Sequence, residues 1–129
     1  MAQIKVFGVK ENINPIKKQL SEIIHSCVMD AFDYPSEKRF HRFFPMDQED
    51  FLFANERTVA YTIIEISIFE GRSIESKKKL INLLFYQIKN ELNISSDDIE
   101  ITIFETPKHN WGIRGVPGDE LTLNYKVNV

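Results

Sequence analysis

The chain repeats its own apolar pattern at an offset of 60 residues, and this constrains its fold more than any other feature. Ile4 and Val6 fall on Ile64 and Ile66, Leu20 on Leu80, Ile23 and Ile24 on Leu83 and Leu84, and Val28 on Ile88. Phe32 then meets Leu92, and Phe43 and Phe44 meet Ile103 and Phe104. Lys17, Lys18 and Ser36 have counterparts in Lys77, Lys78 and Ser96. The register holds through a stretch of period two and a stretch of helical period without a gap, which chance coincidence of hydrophobic residues does not do. Two related copies of one βαβ-like unit, approximately residues 3–44 and 63–104, account for it.

Each copy spells out its elements. "TIIEISIF" alternates Ile64, Ile66 and Ile68 against Glu65 and Ser67, as a strand does. The helix that follows carries Ile81, Leu84, Ile88 and Leu92 on one stripe. Ser73 is the N-cap candidate, and Glu75 suits the first turn. "IEITIF" supplies another alternating strand. In the first copy "IKVFGV" reads as a strand and Pro15 as a residue of the first helical turn. Ile16, Leu20, Ile23, Ile24, Cys27, Val28, Ala31 and Phe32 form the helix stripe; Tyr34-Pro35 stops it, and "RFHRFF" is the closing strand. Residues 45–60 read as an irregular connector with a candidate short strand at Phe51–Phe53. Residues 105–129 read as a C-terminal arm, in which "LTLNYKV" alternates as an added strand or hairpin would.

The expected class is therefore α+β, ordered β-α-β-β-α-β with a pseudo-twofold, in a single domain spanning 1–129. The ferredoxin-like sandwich and the tautomerase fold share this order, and periodicity does not separate them. At 129 residues and 43% hydrophobic content the chain can bury a core. Its 16 basic and 19 acidic residues give a net charge of −3, which argues against non-specific nucleic-acid binding. The single cysteine, Cys27, suits a reducing compartment. No apolar run reaches the roughly 20 residues a membrane span requires, and the first residues lack the pattern of a signal peptide. A cytoplasmic location is the expectation. His25 lies at the edge of a helix stripe and reads as a core or interface histidine. Neither it nor His41, His109 or Cys27 has metal-ligand spacing. "GVPGDE" lacks the lysine of a phosphate loop, and "KRFHRFF" reads as a strand with one cationic face.

Two short motifs separate the architectures. "EGRSIESKKKLI" resembles the strand-to-helix joint of the 4-oxalocrotonate tautomerase superfamily, and "ETPKHNWGIRG" resembles its closing loop. With the internal duplication, the chain is similar to the long, fused branch that includes malonate semialdehyde decarboxylase, over roughly Ala2 to Gly115. The resemblance implies the tautomerase fold, a homotrimer, no cofactor or metal, and a small carboxylate-bearing substrate. It also implies proton transfer by an amino-terminal proline, exposed when the initiator methionine is removed. Ala2 occupies that position here, so Met1 removal would present a primary amine. The resemblance makes Arg72 the carboxylate clamp and Trp111 the pocket wall, and Arg114 in the same loop a candidate second cation.

Several positions depart from the pattern. Lys38, beside Glu37, stands where the decarboxylase branch has a carboxylate; Glu70 replaces its additional arginine, and Glu100 replaces an arginine of the small tautomerases. Asn12 is the counterpart of Arg72 in the first copy. Two functional readings result: proton transfer on a small carboxylic acid, and a non-catalytic relative that binds a small anion or serves assembly.

Overall fold

The structure is a computed structural model that describes residues 2–129; the removal of Met1 on which an Ala2 amine depends concerns a residue outside that range. Strand β1 (Ala2–Val9) leads into helix α1 (Lys10–Phe32) and strand β2 (His41–Met46). Strand β3 (Thr62–Phe69), helix α2 (Ile74–Leu92) and strand β4 (Ile99–Thr106) repeat the unit. A small antiparallel hairpin of β5 (Gly112–Ile113) and β6 (Val116–Pro117) follows.

The four long strands form one sheet in the order β2-β1-β3-β4. Within each unit the strands are parallel, and the two units meet through the antiparallel pair β1–β3. The register follows the repeat. Ile4 pairs with Ile66 and Val6 with Ile64, while Lys5 faces Glu65 on the pseudo-twofold between them. Ile4 pairs with His41 in one unit and Ile64 with Ile101 in the other, each 60 residues on. The helix ends obey the same offset: Asp33 and Asn93 both take left-handed conformations and close their helices with backbone bonds to Met29 and Lys89. Two 3-10 turns, Gln48–Asp50 and Lys108–Asn110, extend the correspondence past β2 and β4.

Both helices cover one face of the sheet. Ile4, Val6, Ile64, Ile66 and Ile68 point into a core completed by Leu20, Ile24, Val28 and Phe32 of α1 and Leu80, Leu84 and Ile88 of α2. Each such side chain contributes about 1.5–3 kcal/mol on leaving water, which pins the register, because a slip of one residue would expose the whole set. No helix among the described residues covers the opposite face, and only Phe51 and Tyr61, between β2 and β3, pack over one part of it, against Phe7, Met46 and Ile63. Phe7 stacks on Phe44 there at 4.7 Å, and Phe44 and Phe104 stay exposed. Leu52, in the connector, is 87% exposed.

Three local expectations change. Helix α1 begins at Lys10, so Pro15 lies inside it instead of in its first turn. Burial of Ile13 draws the helix back to the strand end. A Cβ on Gly8 would lie 2.5 Å from Ile13 Cγ1, so only glycine admits this close packing. Phe51–Phe53 is not a strand; Phe51 instead packs with Val9 and Tyr61 in a satellite cluster. The hairpin of the arm is β5–β6, whereas the alternating "LTLNYKV" is irregular and folds back onto the body.

Candidate functional site

Ala2 opens β1 with its side chain toward the helices, 2% exposed, and its backbone nitrogen donates to Tyr34 Oη at 3.0 Å. Tyr34 reaches that place because the left-handed Asp33 turns the chain back at the end of α1, where Tyr34 N bonds Met29 O at 3.3 Å. The phenol is 5% exposed and its ring meets that of Tyr125 edge-on, centroids 5.0 Å apart. Burial raises the pKa of both phenols, so both stay protonated at neutral pH.

Arg72 enters the same cluster from the β3–α2 joint. Gly71 turns the chain at φ 132°, a conformation closed to residues with a Cβ. Arg72 then buries its guanidinium, 4% exposed, with Cζ 4.7 Å above the Phe32 ring. Nη1 donates a long 3.4 Å bond to Phe69 O, while Nε and Nη2 make no well-formed hydrogen bond. Burial pulls the Arg72 pKa down; the neighbouring Tyr125 and Tyr34 oppose it, and Tyr125 approaches closely enough to act on the charge. A guanidinium keeps its proton even so. The group is thus a buried cation with donors to spare and no carboxylate in contact, an arrangement that favours an anion. Ser73 caps α2 as expected, its side chain accepting from Ser76 N at 3.1 Å.

Trp111 and Arg114 flank this cluster. The indole stands edge-on to Phe69 at 5.1 Å and packs in a group with Val127, Leu123 and Tyr125. Arg114 is exposed in a left-handed turn at φ 50° and acts on the cluster through its charge on Tyr125. Ala2 and Arg72 therefore share Tyr34 as a common neighbour, and the loop residues reach the site through Phe69 and Tyr125. Sequence reasoning passed over Tyr34, whose Tyr-Pro context read only as a helix stop. It also passed over Tyr125, one of an alternating run.

The remaining candidates lie apart from this site. His25 is a core histidine, Nε2 2.8 Å from Ser36 O. His41 Nδ1 sits 2.7 Å from Ser21 Oγ, and burial, then His25 and Arg39, push its pKa down to about 4. Cys27 is buried, its thiol pushed up to about 12 by desolvation. The described residues contain no cluster of three or more metal-ligating side chains, and no helix among them is long and apolar enough to cross a membrane.

Comparison with known proteins identifies the fold and the family. "Probable tautomerase YrdN" of Bacillus subtilis (strain 168) is 28% identical over 99 residues, covering 73% of this chain and 76% of that protein. The "2-hydroxymuconate tautomerase" of Comamonas testosteroni is 37% identical over 57 residues, 44% of this chain and 90% of its own. Among solved structures, malonate semialdehyde decarboxylase superposes with a TM-score of 0.79 at 21% identity, over 92% of this chain and 99% of the other. The native fused 4-OT gives 0.80 at 19%, over 92% and 98%. At those identities the likeness is one of fold, and it selects the tautomerase architecture over the ferredoxin-like sandwich. The tautomerase enzyme family itself matches residues 38–114, more than half of the sequence, and the chain belongs to that family.

Proposed function

We propose that this chain binds a small carboxylic acid at Arg72 and moves a proton α to its carbonyl, with the amine of residue 2 as the base. The observation that carries the reading is the buried Arg72 guanidinium, two of whose nitrogens lack hydrogen bonds, beside the tyrosine that holds Ala2 N. A free α-amine titrates near 7.7–8.0, and burial near a guanidinium lowers that value toward the working pH of a general base. Once Met1 is removed, Tyr34 Oη is within hydrogen-bond reach of that amine and can orient it. Arg72 fixes the carboxylate and offsets charge on the enolate as it develops. Trp111 closes one wall, and Arg114 adds positive potential at the rim. The family relationship supports the reaction class, and 2-hydroxymuconate, named for three relatives, is the first substrate to try.

The same reading includes a homotrimer. The exposed Phe44 and Phe104 on the helix-free face of the sheet support association, and fused 4-OT proteins of like fold form trimers. Mass and scattering in solution test it; a stable monomer removes it.

A second reading, a small-anion binding relative without catalysis, is favoured by Ala2 itself. It supplies no secondary amine, and its nitrogen is already engaged by Tyr34. Intact mass of the untagged protein separates the two, because retention of Met1 leaves an amide at residue 2 and rules out the amine base. If Met1 is absent, ketonisation of 2-hydroxymuconate is expected, with Arg72→Gln reducing kcat/KM by about ten- to a hundredfold, the worth of a charged hydrogen bond. An unchanged rate in Arg72→Gln would remove the clamp.

A further inference from the structure

Ala2, Tyr34 and Arg72 are all closed to solvent, and part of what closes them is the segment 121–129. Tyr125 lies edge-on against Tyr34 and beside the guanidinium. Two residues on, Val127 buries itself against Phe69, the residue whose carbonyl accepts from Arg72. Val129 O then accepts from Ser73 N at 2.9 Å, taking a backbone donor at the start of α2. The chain passes so close to the joint that a Cβ on Gly71 would lie 2.5 Å from Asn128 Oδ1 and 2.9 Å from Val127 Cγ1.

We infer that residues 121–129 form a strap seated on the Arg72 site, with the Tyr125 phenol in the place of a ligand's oxygen, so that an anion reaches Arg72 by displacing it. The inference rests on the reading of Arg72 as an anion site. The strap's own contacts are of a kind that can be exchanged. It forms no strand and joins no sheet ladder. One backbone bond ties it to the start of α2, one exposed bond, Asn124 Nδ2 to Glu37 Oε1 at 3.2 Å, ties it to the loop after α1, and the Tyr125 phenol bonds Tyr34 and the guanidinium. What it offers the guanidinium is a neutral phenol, and a carboxylate forms the stronger, charge-assisted bond. A segment of few backbone bonds over a buried cation opens at lower cost than the core beneath it.

The test is the reactivity of Arg72 toward phenylglyoxal, followed peptide by peptide by mass spectrometry, with exposed Arg39 as internal reference. Arg72 is expected to react at least tenfold more slowly than Arg39 in the intact chain. It should approach the Arg39 rate in Tyr125→Ala and in a chain ending at Glu120, each checked for retained helix by circular dichroism. Reaction of Arg72 at the Arg39 rate in the intact chain overturns the strap. So does protection that persists in both variants. Fumarate, added as the probe anion, should slow the reaction of the exposed Arg72. If the variants expose Arg72 and fumarate gives no protection, the anion site fails while the strap stands.

Discussion

The pseudo-twofold relates the two opposite ends of the central strand pair, and they differ in the polar groups they gather. One end gathers Ala2, Tyr34 and Arg72; the counterparts 60 residues away are Thr62, Ile94 and Asn12. At the second end the polar groups satisfy one another. Asn12 Nδ2 donates to Ala60 O at 3.4 Å and to Thr62 Oγ1 at 3.5 Å, Thr62 Oγ1 donates to Ala60 O at 2.9 Å, and Ile94 joins the core. At the first end a buried guanidinium has one long bond, to Phe69 O, and a phenol beside it where a carboxylate could stand. The strands and their pairing are the same at both ends, but Asn12 lies inside α1 whereas Arg72 precedes α2, and residues 121–129 pack on the first end alone. One end satisfies its polar groups within itself, and the other buries a guanidinium against phenols and a ring.

That contrast can be attacked by substitution, and Arg72 and its counterpart Asn12 should respond with opposite signs. Arg72→Met removes a buried charge that lacks a carboxylate partner and keeps much of its volume, so it should raise unfolding stability in urea by about 1–4 kcal/mol. A loss of stability would mean that the cation is structurally satisfied and would break the comparison. Tyr34→Phe leaves the Ala2 nitrogen donor buried without an acceptor and should cost about 1–3 kcal/mol. Ser73→Ala tests the joint alone: loss of the α2 cap should lower stability by about 1 kcal/mol. Helix α1 provides the control, since its N-cap, Val9, makes no side-chain bond. Asn12→Ala, at the satisfied end, should cost only about 0.5–1 kcal/mol because its bonds are long. A gain there would erase the asymmetry.

The sheet was legible because a repeat at one offset specifies both strand registers together. Ile4 with Ile66 and Val6 with Ile64 follow once the strands are antiparallel about a twofold. Helix stripes were equally plain, but the start of α1 was not. Pro15 is a strong local signal, and it lost to the tertiary gain of burying Ile13. Arg72 announced itself through its motif and through Ser73 behind it. Tyr34 and Tyr125 did not, because their importance comes from meeting across 91 residues of chain, which no local pattern encodes. The "LTLNYKV" run misled for the opposite reason. Its alternation is that of a strand, but Tyr125 and Val127 use it to seat on Tyr34 and Phe69 instead of pairing with an edge.

The facing of Lys5 and Glu65 has a consequence for what a single chain can do that a pair of identical chains cannot. On a true twofold axis, a symmetric dimer of one copy must set a residue opposite itself, so a charge there always meets its like and destabilises the pair. Joining the copies into one polypeptide lifts that restriction at this position. Opposite signs then become available at the seam, and with them the freedom for each half to change its residues without changing the other's.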